Sequence, residues 1–372
     1  MHQTYYTTLA AKGLRVPVGA HLILHAHADH EAILLDGKRL GEVIAETARH
    51  FDSPLAIPLM DLSLEKDALL RACGVPAAEI ETFHFSAPAA GTTASAPPAT
   101  DNPPHPAPMP SELPAIPATP RIKATCDAIA HIAREHPALL PIGMSIGPFS
   151  LMTKLIADPI MPVYLAGTGL TGDDESDIAL VERLLALGEH IIHQYLRAQI
   201  AAGAKAIFVC EPAANRVYFS PKQLEETAYA TFEKYVMAPM RRLAALLREH
   251  EVDLIFHDCG ELTDEMVRRF GTLGAAIISL GSSRKLWEDA ALIPATTVLY
   301  GNLPSKNFRA PQLTPVAVAT AARELVANMR CACHPFILGT ECDVLSVPGS
   351  EAEIMSKVDA FMKASADEKS GA

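Results

Sequence analysis

The 372-residue sequence predicts a single (β/α)8 (TIM) barrel. Short runs rich in Ile, Val and Leu alternate with longer amphipathic stretches, and eight of these runs can be counted. Nearly continuous apolar strands interleaved with helices mean a parallel sheet covered on its faces, and eight such units close a barrel. No G-x-G-x-x-G follows a strand and no Walker-type loop is present, which disfavours the competing doubly wound sheet. The Gly-rich "GTGLTG" (167–172) has no strand leading into it and reads as a loop.

The candidate strands, in order, are "PLAIPL" (54–59), "IETFHF" (80–85), "PIGMSI" (141–146), "AIFVCE" (206–211), "DLIFHD" (253–258), "AAIISL" (275–280), "TTVLYG" (296–301) and "HPFILG" (334–339). Residues 177–203 and 223–250 repeat apolar positions at three- and four-residue spacing, as amphipathic helices do. Residues 1–45 are left as an N-terminal extension. Residues 86–120 are dominated by Ala, Pro, Thr and Ser, and read as an extended, poorly ordered insertion after strand two, because Pro denies regular structure and little apolar surface offsets the ordering entropy.

Composition narrows the function. About 49% of residues are hydrophobic and 20% charged, enough for a sizeable core. A formal charge of −12 argues against nucleic acid or an anionic membrane as the main partner. No apolar run is long enough to span a bilayer and no signal-peptide core is present, so a cytoplasmic protein is expected. Seven cysteines, an odd number, point to thiols rather than disulfides.

Active sites of (β/α)8 barrels lie at the carboxyl ends of the strands, and this filter selects Asp61 after strand one, His84 at the end of strand two, Glu211 after strand four, His257 and Cys259 after strand five, and Cys342 after strand eight. One imidazole and two thiolates from His257, Cys259 and Cys342 are a zinc-type donor set, with Glu211 the candidate for a fourth, displaceable ligand. Zinc so bound carries no net charge and can accept an anionic substrate sulfur. A cysteine at a strand end serves equally well as a small buried apolar residue. "CACH" (331–334) precedes strand eight, at the opposite end of the barrel, and is expected to pack; Cys73, Cys126 and Cys210 lack ligand-spaced partners.

"HLILHAHADH" (21–30) competes. His25, His27, Asp29 and His30 match the pattern with which metallo-β-lactamase-type hydrolases seat two metals, and a metal-dependent hydrolase using His25, His27 and His30 is an alternative. Eight strands can be counted without this segment, so it is expected to be solvated and to lean over the barrel mouth.

"FHDCG" (256–260) followed far downstream by "GTECDVLSVPGS" (339–350) resembles the zinc-dependent methyltransferases of the uroporphyrinogen decarboxylase superfamily. The similarity runs from about Gly41 to Phe361 and includes 47–70, 141–156, 203–221 and 296–303 in family order. The resemblance implies one barrel and zinc on His257, Cys259 and Cys342. It also implies methyl transfer between methylcobalamin, carried by a separate corrinoid protein, and a zinc-activated thiol, with a folate as another donor or acceptor in the superfamily. The decarboxylase's Arg-rich N-terminal motif is absent, so a tetrapyrrole with many carboxylates would lack counter-ions. Asp61 stands where the decarboxylase's catalytic Asp would be, and a decarboxylase or lyase acting through Asp61 without metal is the second alternative.

Overall fold

The computed structural model of the protein describes residues 3–87 and 113–364. Its eight strands are β1 Arg15–Val18, β2 Leu55–Ala56, β3 Leu140–Ile146, β4 Ala206–Cys210, β5 Asp253–Asp258, β6 Ile277–Leu280, β7 Val298–Leu303 and β8 Phe336–Asp343. All pairings are parallel, in the order β1-β8-β7-β6-β5-β4-β3-β2. The first strand therefore lies against the last, as a curling sheet requires. Among the described residues no ladder joins β1 to β2.

Alternation along the strands sorts the core into an inside and an outside. Val16, Leu55, Ile142, Phe208, Ile255, Ile277, Val298 and Ile337, one from each strand, share a single buried cluster, which is the barrel interior. The intervening residues Ile207, Val209, Leu254, Phe256, Ile278 and Leu299 face the helices in a second, larger cluster. Among the described residues no helix is long and apolar enough to cross a membrane.

The barrel stands, but two of its strands are not where the sequence puts them. β1 lies inside the segment read as an extension (1–45), and residues 80–85 contribute no strand. Pro17 hides β1: it removes a ladder donor, and the register against β8 shifts between Val16 and Val18. "IETFHF" ends instead in one bridge, Phe85 to Ile156, and buries Ile80 and Phe85 against the helical layer, which an alternating pattern satisfies equally well. "PLAIPL" is thus the second strand, cut to two residues because Pro54 and Pro58 bracket it.

The 223–250 pattern is also broken, into Pro221–Glu226, Ala230–Phe232, a π-turn Glu233–Met237 and Ala238–Glu249. Positive φ at Ala228 and Tyr229 ends the first piece, and the wide turn accommodates Pro239, which would clash with the carbonyl one turn back in a regular α-helix. Of the 86–120 insertion, 88–112 falls outside the described residues, and the part that follows is docked. Ile116 N–H donates to Gln194 Oε1 (2.8 Å), and the Pro114 carbonyl accepts from Gln194 (2.9 Å). Thr119 caps the Pro120–Glu135 helix through the Ile122 amide.

Candidate active site at the barrel mouth

β5 carries His257 on its inward face, in line with Ile255, and the chain then turns outward through Cys259. β8 ends beside it and supplies Cys342. One nitrogen of His257 and the sulfurs of Cys259 and Cys342 all lie within 4.8 Å of one another. His257 is 1% exposed, whereas both cysteines are partly accessible. His257 Nδ1 lies 2.9 Å from Ser279 Oγ on β6, which fixes the ring, while Nε2 is buried without a hydrogen-bond partner. A buried nitrogen without a partner is costly unless something binds it. With two soft sulfurs at hand the donor set fits a zinc-type ion.

The two sulfurs shift each other's titration in opposite directions. The Cys342 thiol donating to Cys259 pulls the Cys259 pKa down, helped by His257 and Lys306 against the effect of burial. The same bond, with burial, pushes Cys342 up. Lys306 escapes a reading by strand ends because it sits one residue into the short turn Ser305–Asn307 after β7. Burial lowers its pKa, but Cys259, Glu341 and Cys342 raise it by more, so an ammonium persists beside the sulfurs. Ser305 ties this turn to β8, donating to the Cys342 carbonyl (3.0 Å) and accepting from its amide (3.3 Å).

Cys342 also borders an open cavity of about 580 Å³, whose apolar wall includes Met60, Leu62, Phe308 and Val347, with Lys306 and Asp61 among its polar residues. Asp61 is on this rim, but it follows β2 rather than the first strand. Burial raises its pKa, and the Ser63 hydroxyl and Arg121 outweigh that and hold it below its ordinary value. Arg121 Nη2 donates to Asp61 Oδ2 at 2.6 Å. Asp343, next to Cys342, is ion-paired with His21.

Glu211 does not join the cluster. Its carboxylate is fully buried and turns to the start of the Pro148–Thr153 helix, accepting from Phe149 N–H (3.2 Å) and Ser150 N–H (2.5 Å). A Cβ on Gly147 would fall 2.1 Å from Glu211 Oε2, so only glycine leaves room for this arrangement. Burial pushes Glu211 up to about 7, against the opposing effect of these donors. The geometry thus makes Glu211 an anchor for the loop after β3 and leaves it outside the group of ligands it was expected to complete. His84 is exposed and lies on a separate surface cavity with Lys66 and Lys154.

The N-terminal histidines follow β1 directly, so a strand count does not set them aside. Their partners do. His27 lies 3.5 Å from Glu46, His30 lies 3.6 Å from Glu31, and Asp29 accepts from Arg39 (2.7 Å). Among the described residues only two groups of three potential ligands converge, and neither includes His25, His27 or His30. In "CACH" the expected packing holds for one end alone. Cys331 and Cys333 are exposed because they finish the Pro315–Ala332 helix, whereas His334 is buried and lies 2.9 Å from the Thr297 carbonyl.

Comparison with known proteins agrees with this architecture. The family model described as uroporphyrinogen decarboxylase (URO-D) matches residues 88–364. A uroporphyrinogen decarboxylase from Thioalkalivibrio sulfidiphilus is 30% identical over 131 residues, 35% of this chain and 34% of the relative. The methylcobamide:CoM methyltransferase MtbA from Methanosarcina mazei is 26% identical over 147 residues, 39% of this chain and 38% of the relative. The aligned segments thus span little more than a third of either curated relative. A solved methyltransferase from Methanosarcina mazei superposes with a TM-score of 0.62 over 96% of this chain and 98% of its own, at 16% identity, a likeness of fold. With a family match over well more than half of its length, the chain belongs to the uroporphyrinogen decarboxylase family.

Proposed function

We propose that the protein is a methyltransferase that moves a methyl group between a corrinoid, carried on a partner protein, and a thiol bound at the barrel mouth. The observation that carries this reading is the convergence of His257, Cys259 and Cys342, the last of which borders an open cavity. These three residues would hold Zn²⁺. Bound there, zinc would take the acceptor sulfur as a ligand and lower its pKa, so that a thiolate is available at neutral pH.

The chain's own groups do the rest. Ser279 engages Nδ1 of the His257 ring and leaves Nε2 as the nitrogen that would bind the metal. Lys306 places a positive charge beside Cys259 and favours its thiolate. The apolar wall of Met60, Leu62 and Phe308 would hold the apolar part of the acceptor beside Cys342, with the open side of the cavity left to the corrinoid protein. Similarity to the MtbA methyltransferase supports the reaction class, and the intact ligand set supports the metal.

A second reading, decarboxylation through Asp61 without metal, is favoured by the rim position of Asp61 and by the decarboxylase relative. Arg121 already neutralises that carboxylate, which counts against it as the free anionic group of such a site. X-ray absorption at the zinc edge separates the two. Protein purified without added metal should show zinc with sulfur neighbours, and Cys259→Ala or Cys342→Ala should each remove that zinc–sulfur scattering while circular dichroism stays that of a folded barrel. Undiminished zinc–sulfur scattering in both variants, or no demethylation of methylcobalamin by wild-type protein with any added thiol, would reject the methyltransferase reading.

A further inference from the structure

The helices Gly37–His50 and Pro120–Glu135 pack closely at two glycines. A Cβ on Gly37 would fall 2.2 Å from Asp127 Cβ and 2.9 Å from the Ala124 carbonyl, and one on Gly41 would fall 3.0 Å from His131 Cδ2. Glycine at both positions lets the backbones approach, and it brings Glu42 against His131. The His131 side chain is 5% exposed, with Nε2 lying 2.6 Å from Glu42 Oε1. Its Nδ1 is buried without a partner, so Nε2 is the ring's one engaged nitrogen. His136, just past the helix end, brings its own Nε2 to 3.3 Å from the same Glu42 oxygen.

Two imidazoles therefore converge on one carboxylate oxygen, and one ligand atom of each residue lies within 4.8 Å of the others. The imidazoles can meet that oxygen only by each holding a proton on the nitrogen that faces it. A single divalent ion of intermediate softness would satisfy all three groups at once. Two nitrogens and one carboxylate oxygen suit zinc and its transition-metal neighbours, whereas magnesium and calcium call for oxygen alone. His136 caps the carboxyl end of its helix, where the free carbonyls favour a cation. One group opposes binding. Arg49 Nη1 lies 3.5 Å from His136 Nδ1, and its positive charge repels an incoming dication, but Arg49 is exposed and can swing away.

We propose that Glu42, His131 and His136 form a second transition-metal site of the zinc class on the outer helical wall, with Arg49 as its competing cation. His136 precedes β3, so the site sits toward the amino ends of the strands, away from the mouth, and owes nothing to Cys259 or Cys342. A metal there would clamp the two helices across their glycine seam.

The test is zinc titration by calorimetry on full-length, tag-free, chelator-stripped protein. In the Cys259→Ser/Cys342→Ser background one equivalent of zinc should still bind, and adding Glu42→Gln with His136→Ala should weaken it by more than about 100-fold, since losing even the partners of a metal ligand costs 10–100-fold. Arg49→Ala should instead tighten it. No binding in the serine background overturns the proposal, and so does an equivalent that survives Glu42→Gln/His136→Ala, which would place it on other histidines. Should the serine background fail to fold, cobalt titration of the wild type decides the matter. Sulfur-to-cobalt charge-transfer absorption reports the mouth, and a further equivalent without that band, lost in Glu42→Gln/His136→Ala, reports the outer site. Absence of that further equivalent refutes the outer site whatever the mouth does.

Discussion

Glu211→Gln tests whether the buried carboxyl anchors a loop or serves the metal. Glu211 is fully buried, and burial pushes its pKa from an ordinary 4.5 up to about 7. Because the folded value is the higher one, the folded chain binds more protons than the unfolded chain between these pH values, and stability falls as pH rises through that window. The contribution is fully present below about 4.5 and lost above about 7. At about 1.4 kcal/mol per pH unit the window is worth roughly 3 kcal/mol. Glutamine cannot ionise and escapes this loss. It also turns an amide NH2 toward one of the two backbone donors, which costs about 1–3 kcal/mol at any pH. The variant should therefore be the less stable protein near pH 5 and should gain on the wild type by roughly 2–3 kcal/mol on moving to about pH 8. Glu65, pushed up to about 7 by the same cause, is present in both proteins and cancels in the difference. Urea unfolding of the metal-stripped proteins at the two pH values measures it, and zinc–sulfur scattering of the loaded variant should match that of the wild type. A stability difference that does not change with pH, or a loss of zinc, would refute the anchor assignment.

Lys306→Met should move the pH midpoint of Cys259 alkylation in metal-free protein upward, because the ammonium that favours the thiolate is gone; an unchanged midpoint would remove Lys306 from the site. The His25→Ala/His27→Ala double variant should leave total zinc and activity unaltered, as measured by atomic absorption and methylcobalamin turnover, and loss of an equivalent would restore the hydrolase reading. Replacing 88–112 by a short Gly/Ser loop should leave the thermal midpoint unchanged within a few degrees, since loop closure grows costly only slowly with length. Extending the replacement through Thr119 should lower it, because the Gln194 contacts and the Thr119 cap go with it, the cap alone being worth about 1 kcal/mol.

Periodicity and composition were enough to indicate the barrel class, because buried parallel strands between amphipathic helices leave few other ways to cover both faces of a sheet, although the count of eight took in 80–85 and passed over β1. The strand-end rule also placed His257, Cys259 and Cys342 on one rim, and β5 and β8 carry them together although more than 80 residues separate Cys259 from Cys342. At Pro17 the local signal fails, and only the ladder to β8 identifies β1, whereas 54–59 is legible as a strand but only its ladder to β3 shows that it is the second strand and two residues long. Side-chain direction was likewise invisible. Glu211 directly follows β4 and His257 is the last residue but one of β5, yet the pleat turns one outward onto the Phe149 and Ser150 amides and the other inward toward the sulfurs. Lys306 and the Glu42, His131 and His136 group have no sequence spacing that joins them to their partners. They meet through a turn after β7 and through a glycine seam between two helices, and contacts of that kind exist only once distant segments have packed.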